Sequence, residues 1–362
     1  MYKFLIYISH PYSIPIGMPL QKEIENRGYQ VYWFSDLEYT KKYFDSPNLL
    51  LQTVKEVIDY QPHIVLTATD IVPDFFSGIK VQIFHGFLSN KREEMKSHFR
   101  IRGFFDLYTT QGPSTTKVFE TLANKHGYFE VVETGWSKVD PLFPIEEKIK
   151  TERPVVLISS TFTTRLSLAK NEAVFAEIKR LVASGNYDFL CVLHPKLEDN
   201  IKDKFKTLTG EHFTYFDTTD LIPLFKKADI MFSDTTSAII EFLLQKKPVV
   251  TFRNNKPDDH LIDITEVSEI ENGIKLALTK PSKTMDAIEK YIHITHPYFD
   301  GKSSVRIIDA AIAFLNKDKS HLKSKPLNLV RKRNIRKLLH YFTFKSYSKP
   351  LTLTLDSTNK KQ

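Results

Sequence analysis

A single cysteine in 362 residues excludes a disulfide scaffold, and Cys191 lies in an apolar run, Phe189–Leu193, that reads as a buried strand. The chain is therefore expected in a reducing compartment. No window approaches the ~18 consecutive apolar residues of a membrane span. The opening MYKFLIYISHPYSIP is interrupted by His10 and Pro11 too early for a signal peptide. Glycine is scarce, with 12 residues, and neither G-x-x-x-x-G-K-[ST] nor G-x-G-x-x-G occurs, so no P-loop or dinucleotide fingerprint is present. There is no H-E-x-x-H, no cysteine pair and no D-x-D, the common cues for a dedicated metal site. A G-x-S-x-G elbow is also missing. Asp258-Asp259 sits in a polar loop and reads as solvated.

What is present is an apolar and aromatic chain, 41% hydrophobic, long enough for two domains. Its net charge of +8 is uneven. Twelve Lys and Arg but one acid, Asp356, fall in 319–362, so that tail is strongly basic and the remainder slightly acidic. Such a tail calls for an anionic partner. Strand-like runs (Lys3–Ser9, Gln30–Phe34, His63–Thr69, Val81–His85, Asp106–Thr110, Phe129–Glu133) alternate with amphipathic stretches such as Met18–Arg27 and Leu49–Tyr60. The Pro-, Glu- and Lys-rich segment 141–154 reads as a linker. Alternation then restarts with Val155–Ser160, Phe189–His194, Phe213–Phe216, Ile230–Ser233 and Val249–Phe252. The pattern predicts an α/β fold of two doubly wound, Rossmann-like domains facing a cleft: 1–145, 154–318, and a basic amphipathic tail, 319–362.

Ligands of such sheets gather at the carboxyl ends of the strands. Four clusters lie there. His85-Gly86 closes one strand, where glycine lets a ligand approach the backbone. His194-Pro195-Lys196 closes another and supplies two donors near one point. The third, Ser233-Asp234-Thr235-Thr236-Ser237, runs into an apolar helix. It reads as an anion site or as ordinary capping, with Glu241 one turn on to reach a sugar hydroxyl. In the fourth, Asp300-Gly301-Lys302-Ser303-Ser304-Val305-Arg306, cations and hydroxyls crowd a helix start. It reads as a phosphate clamp or a capped surface helix.

In this order, H-G, H-P, S-D-T-T-S-A-I-I-E-F-L-L-Q-K-K-P-V-V and D-G-K-S-S-V-R-I resemble the CDP-glycerol glycerophosphotransferase family, over roughly Lys3 to Leu315. That family comprises teichoic acid glycerol-phosphate primases and polymerases, with capsule-polymer relatives. The resemblance implies a GT-B-like fold, no cofactor or metal, and His85 and His194 as catalytic residues. It also implies donor binding by His194, Lys196, Ser233, Asp234, Thr235, Thr236, Ser237, Glu241, Asp300, Ser303, Ser304 and Arg306. Two departures stand out: Phe87 follows H-G where a polar pair is usual, and Thr235-Thr236-Ser237 replaces a Ser-Ser pair. The S-D-x-x-[SG]…E…K-P-V stretch also resembles nucleotide-sugar 2-epimerases, which carry a Gly pair where Thr236-Ser237 stands. GT-B glycosyltransferases share the layout as well.

The expectation is a transferase moving glycerol phosphate, or a related polyol phosphate, from a CDP-activated donor to a lipid-linked cell-surface glycan, with release of CMP. The alternatives are a GT-B glycosyltransferase, a UDP-N-acetylhexosamine 2-epimerase-like enzyme, or a non-enzymatic nucleotide-binding or membrane-scaffolding protein. The expected place is the cytoplasmic face of the cell membrane. In the tail, Leu327, Val330, Ile335, Leu338, Leu339 and Phe342 fall mainly at helical spacings among Arg331, Lys332, Arg333, Arg336 and Lys337. This pattern fits a helix lying on an anionic membrane, or one packing its apolar stripe back on the body. No nucleic-acid partner is expected.

Overall fold

The computed structural model describes residues 1–44, 46–88, 98–147 and 150–341. Its contacts divide them into two compact units. Unit 1 contains Met1–His85, Phe99–Pro141 and the described residues from Tyr298 on; unit 2 contains 86–88, His98 and Leu142–Pro297.

Unit 1 is built on a seven-stranded sheet of β1 (Lys3–Ile8), β2 (Gln30–Ser35), β3 (Leu50–Leu51), β4 (Ile64–Thr67), β5 (Ile79–Gln82), β6 (Leu107–Thr110) and β7 (Glu130–Glu133). The spatial order is β3-β2-β1-β4-β5-β6-β7, and every pairing is parallel. Parallel strands covered on both faces need continuous apolar runs, and β1 supplies one: Phe4, Leu5, Ile6, Tyr7 and Ile8 are all buried. The helix Ile14–Asn26 follows β1 directly, with Pro15 in its first turn where a missing N–H costs nothing.

Unit 2 repeats the plan with β8 (Val155–Ser160), β9 (Asp188–Leu193), β10 (Phe213–Tyr215), β11 (Ile230–Ser233), β12 (Val249–Phe252) and β13 (Ile262–Ile264). Their order is β10-β9-β8-β11-β12-β13, again parallel throughout. Both orders reverse direction once, between β1 and β4 and between β8 and β11. Doubly wound sheets bind ligands at that reversal.

The units differ from the expected boundaries at 145, 154 and 318. The helix Ser303–Asn316 follows unit 2 in sequence but packs on the Ile14–Asn26 helix and on β4 and β6 of unit 1. The tail also belongs to unit 1 as far as it is described. In and after the helix Leu329–Leu338, Ile335 and Leu339 are buried, Arg336 Nη2 lies 2.5 Å from Asp74 Oδ2, and Tyr341 stacks on Phe75 at 3.8 Å. Part of the apolar stripe is thus used within unit 1, while Leu327, Leu329 and Val330 remain exposed. Residues 342–362, with Phe342, Phe344 and Asp356, lie outside the described residues. Among the described residues no helix is long and apolar enough to cross a membrane.

Gly17 fixes how closely the first helix approaches the sheet. A Cβ there would stand 2.2 Å from Trp33 Cη2 and 3.0 Å from Ile6 Cγ2. Trp33 cannot swing aside freely, because it is buried and its Nε1 donates to Gln21 Oε1 at 2.7 Å. Gly17→Ala is expected to destabilise the chain by up to about 2 kcal/mol, the overpacking cost of about 1–3 kcal/mol less the ~1 kcal/mol that alanine gains in a helix. Denaturant unfolding of the two proteins measures the difference.

Candidate functional site

The ends of β8, β11 and β12 are held together by one residue, Asp234, through its carboxylate and its backbone carbonyl. Asp234, fully buried, accepts hydrogen bonds from Thr161 N at 3.0 Å, Leu168 N at 3.0 Å and Ser160 Oγ at 2.5 Å. Its own carbonyl accepts from Asn254 Nδ2 at 2.8 Å. Ser233 is equally committed, with Oγ donating to Ser159 O at 2.7 Å. Both residues frame the site, and their side chains point into the fold.

Thr235 and Thr236 begin the part that lines a cavity. Thr235 Oγ1 accepts from Asn255 N at 3.0 Å, tying the hydroxyl run to the loop after β12. Thr236 is half-buried, and its Oγ1 accepts weakly from Ala238 N at 3.4 Å. Ser237 is the N-cap residue of the six-residue helix Ala238–Leu243 without making a side-chain cap, and Glu241 is buried in that helix. The H-G segment meets the same turn: a Cβ on Gly86 would stand 3.5 Å from Ser237 Oγ. Phe87 is buried with its ring edge against His296, centroids 6.0 Å apart.

Leu88, Thr235, Thr236, Ile239, Ile240, Asn254, Lys256, Asp258, His260, Leu261 and Tyr291 line a cavity of about 100 Å³. Sites that swallow a whole ligand measure ~300–1,000 Å³, so this one takes a single part of a larger molecule. One wall is a stack: the His260 ring lies on Tyr291 at 3.8 Å and 9°. Burial pushes His260 down, against the opposing pull of Asp258 and Asp259, and favours the neutral imidazole. Burial also pushes the Tyr291 phenol up to about 12. The structure thus brings Gly86 of the first sequence cluster to the third within unit 2, and the cavity adds Asn254, Lys256, Asp258, His260 and Tyr291. None of the five was expected. Four sit in or just beyond the loop after β12, so the strand-end rule applied to Val249–Phe252 points to them.

The second cluster lies at the end of β9. His194 Nδ1 accepts from Lys196 N at 3.0 Å, which places the ring proton on Nε2. Its ring leans on Phe162 at 4.5 Å, and the exposed Lys196 reaches over the same ring. His85, in unit 1, is exposed just beyond β5.

The fourth cluster is a capped helix. Asp140 accepts from Ser303 N at 2.8 Å and Ser304 N at 2.7 Å, occupying the amides a phosphate would use. Arg306 is held by Asp300, Nη1–Oδ2 2.9 Å, and donates through Nε to Thr134 O at 2.8 Å. Asp300, Ser303, Ser304 and Arg306 therefore belong to unit 1, each engaged by partners within that unit. Asp140, remote in sequence, explains why D-G-K-S-S-V-R-I reads as a clamp when taken alone.

Two doubly wound parallel-sheet units, the second with a polar cavity at its strand ends, are the architecture of the GT-B fold class. Solved structures share that architecture. A variant of the wall teichoic acid polymerase TagF superposes with a TM-score of 0.63 at 14% identity, covering 87% of this chain and 89% of its own. The Neisseria meningitidis UDP-GlcNAc 2-epimerase bound to UDP-GlcNAc superposes with 0.58 at 15% identity, covering 86% and 99%. The S. aureus MnaA–UDP complex gives 0.60 at 14% identity, covering 90% and 99%. No curated protein matches the sequence. The model of the UDP-N-acetylglucosamine 2-epimerase family matches residues 130–312, half of the chain, and the chain belongs to that family.

This membership overturns the resemblance to CDP-glycerol glycerophosphotransferases. TagF shares the fold at an identity that carries nothing further, and the element that favoured that family, D-G-K-S-S-V-R-I, is an internally satisfied helix start. The expected partners, a CDP-activated polyol and a lipid-linked glycan acceptor, fall with it, as does a role in teichoic acid or capsule synthesis; the two epimerase-type neighbours are described with UDP-GlcNAc and UDP.

Asp140→Ala is expected to cost about 1–3 kcal/mol of stability, because two buried amides lose their acceptor. Denaturant unfolding of the two proteins measures the loss, and an unchanged stability would show that the Ser303 and Ser304 amides do not depend on this acceptor.

Proposed function

We propose that this chain binds a UDP-linked N-acetylhexosamine through unit 2 and inverts its C2 centre. The observation that carries the reading is the family match, because 130–312 contains the hydroxyl run and the 254–261 loop that line the unit 2 cavity.

The chemistry sets what the residues must do. Inversion at C2 breaks the C2–H bond, whose hydrogen is too weakly acidic to leave alone. If a base takes that proton while UDP leaves C1, the C–H electrons become a C1=C2 double bond. The C1–O electrons depart with the diphosphate. Re-addition of UDP, with a proton delivered to the opposite face of C2, gives the epimer without any redox change. The reaction therefore needs a base of near-neutral pKa and donors for the leaving diphosphate.

His85 is the assigned base: an exposed imidazole beyond β5, next in sequence to the glycine that lies against Ser237. Thr236 and Ser237 hydroxyls supply donors where other 2-epimerases carry a Gly pair. His194, with its proton on Nε2, and the Lys196 ammonium add positive potential for the departing phosphate. Thr235 and Asp234 hold this arrangement in place.

Incubation with UDP-N-acetylglucosamine in D2O should yield the 2-epimer with deuterium at C2 in both sugars, read by NMR. His85→Gln is expected to slow turnover by about 10²–10⁴-fold while UDP binding is retained. UDP binding without exchange at C2 would remove the epimerase reading, and sugar transfer to an added acceptor would then take its place.

A further inference from the structure

Parallel strands are usually joined by a helical crossover, but in unit 1 the connection from β4 to β5, residues 68–78, contains no helix. The end of the chain is fastened there instead. It arrives as a strap along unit 1: Lys323 N donates to Gly127 O at 2.8 Å, Lys325 Nζ lies 2.7 Å from Asp106 Oδ1, and Asn328 Nδ2 donates to Arg102 O at 2.5 Å. A Cβ on Gly103 would stand 2.6 Å from Pro326 Cγ, so the strap lies hard against the body. Arg336 then meets Asp74, and Tyr341 stacks on Phe75, both within 68–78.

This anchoring uses one side of the Leu329–Leu338 helix. Ile335 and Leu339 are buried, and at 3.6 residues per turn Leu329, Val330, Arg333 and Lys337 fall on the opposite side. All four are exposed. Leu329 is 69% and Val330 73% exposed, and Leu327, just before the helix, 73%. The neighbours of these bare aliphatic groups are cations. From Lys319 to Tyr341 there are eight Lys and Arg and no Asp or Glu. Lys325 and Arg336 are neutralised by Asp106 and Asp74. Arg331 donates to the uncharged Asn328 side chain at 2.9 Å, and Lys332, Arg333 and Lys337 have no carboxylate partner among the described residues. Burial pushes the Arg102 guanidinium down, and Arg100 and Arg331 push it the same way against Asp70, so the positive field continues from the helix onto the body.

A partner for this face must cover aliphatic carbon and neutralise several cations over one short helix. A bilayer with anionic headgroups does both: its phosphates meet the cations, and the acyl carbon just beneath them takes Leu327, Leu329 and Val330. A nucleic acid would meet the cations and leave the aliphatic groups in water. We propose that the outer face of the Leu329–Leu338 helix is a docking surface for an anionic phospholipid bilayer, with the helix lying in the plane of the headgroups. The two readings of the tail pattern are then shared between the two sides of one helix, the inner packed on unit 1 and the outer on lipid. None of these residues lines the unit 2 cavity, so the assignment does not rest on the reaction proposed above.

Co-sedimentation of the full chain with lipid vesicles tests the surface. Binding is expected on mixed phosphatidylcholine and phosphatidylglycerol vesicles, and should be at least about tenfold weaker on phosphatidylcholine alone. Arg333→Gln combined with Lys337→Gln should weaken binding to the anionic vesicles by about 30-fold, from ~1 kcal/mol for each cation. Leu329→Ser combined with Val330→Ser should weaken it by about tenfold and leave the remaining binding salt-sensitive. All four positions are exposed, so both double variants should keep the denaturation midpoint of the wild type. No binding to the anionic vesicles, equal binding to the neutral ones, or binding unchanged in either folded double variant overturns the surface. A wild type that binds duplex DNA and not the vesicles overturns it as well, and gives the cations to nucleic acid.

Discussion

The site of unit 2 depends on one buried carboxylate. Asp234 gathers two backbone amides and a serine hydroxyl from the β8 side, and its carbonyl receives an amide from the β12 side. A carboxyl group with no solvent exposure is tolerated in a protein interior only when its oxygens are satisfied in this way. Three strand ends are thereby brought to one place. Thr235 extends the bracing to Asn255, so the hydroxyl run and the 254–261 loop are held as one wall of the cavity. The aspartate in S-D-T-T-S is thus architectural, and the threonines beside it line the cavity.

The two units solve the same topological problem with different side chains. Each places a strand-to-helix turn at the reversal of its strand order. In unit 2 that region carries hydroxyls, amides and a neutral imidazole stacked on tyrosine. In unit 1 it carries rings, with Pro11 lacking an amide and Ser13 N bound to His10 O. The hydroxyl and imidazole donors of unit 2 suit a diphosphate.

Much of the fold could be read from residue order, because continuous runs such as Phe4–Ile8 and Val155–Ser160 have few alternatives to a buried parallel strand. Short edge strands could not: Leu50–Leu51 and Ile262–Ile264 lack a run long enough to stand out. The expected 154–318 domain overran unit 2 because nothing in Ser303–Asn316 itself reveals that its apolar face meets the first helix of the chain. Site residues divide in the same way. The hydroxyl turn was visible as a strand running into Thr235 and Thr236. Asp140 capping Ser303 and Ser304 from over 160 positions away was not, so a satisfied helix start looked like a phosphate clamp. His260 was hidden for another reason: Asp258 and Asp259 beside it are exposed, as a polar loop suggests, while the His260 ring itself stacks on Tyr291 from a distant helix.

The central claim is that the nucleotide is held by unit 2 at the turn Asp234 braces. Hydrogen–deuterium exchange of the full chain with and without UDP tests it most directly. Protection is expected in peptides covering 233–241 and 253–261, with 300–306 unchanged. Protection confined to 300–306, or to other parts of unit 1, would contradict the account.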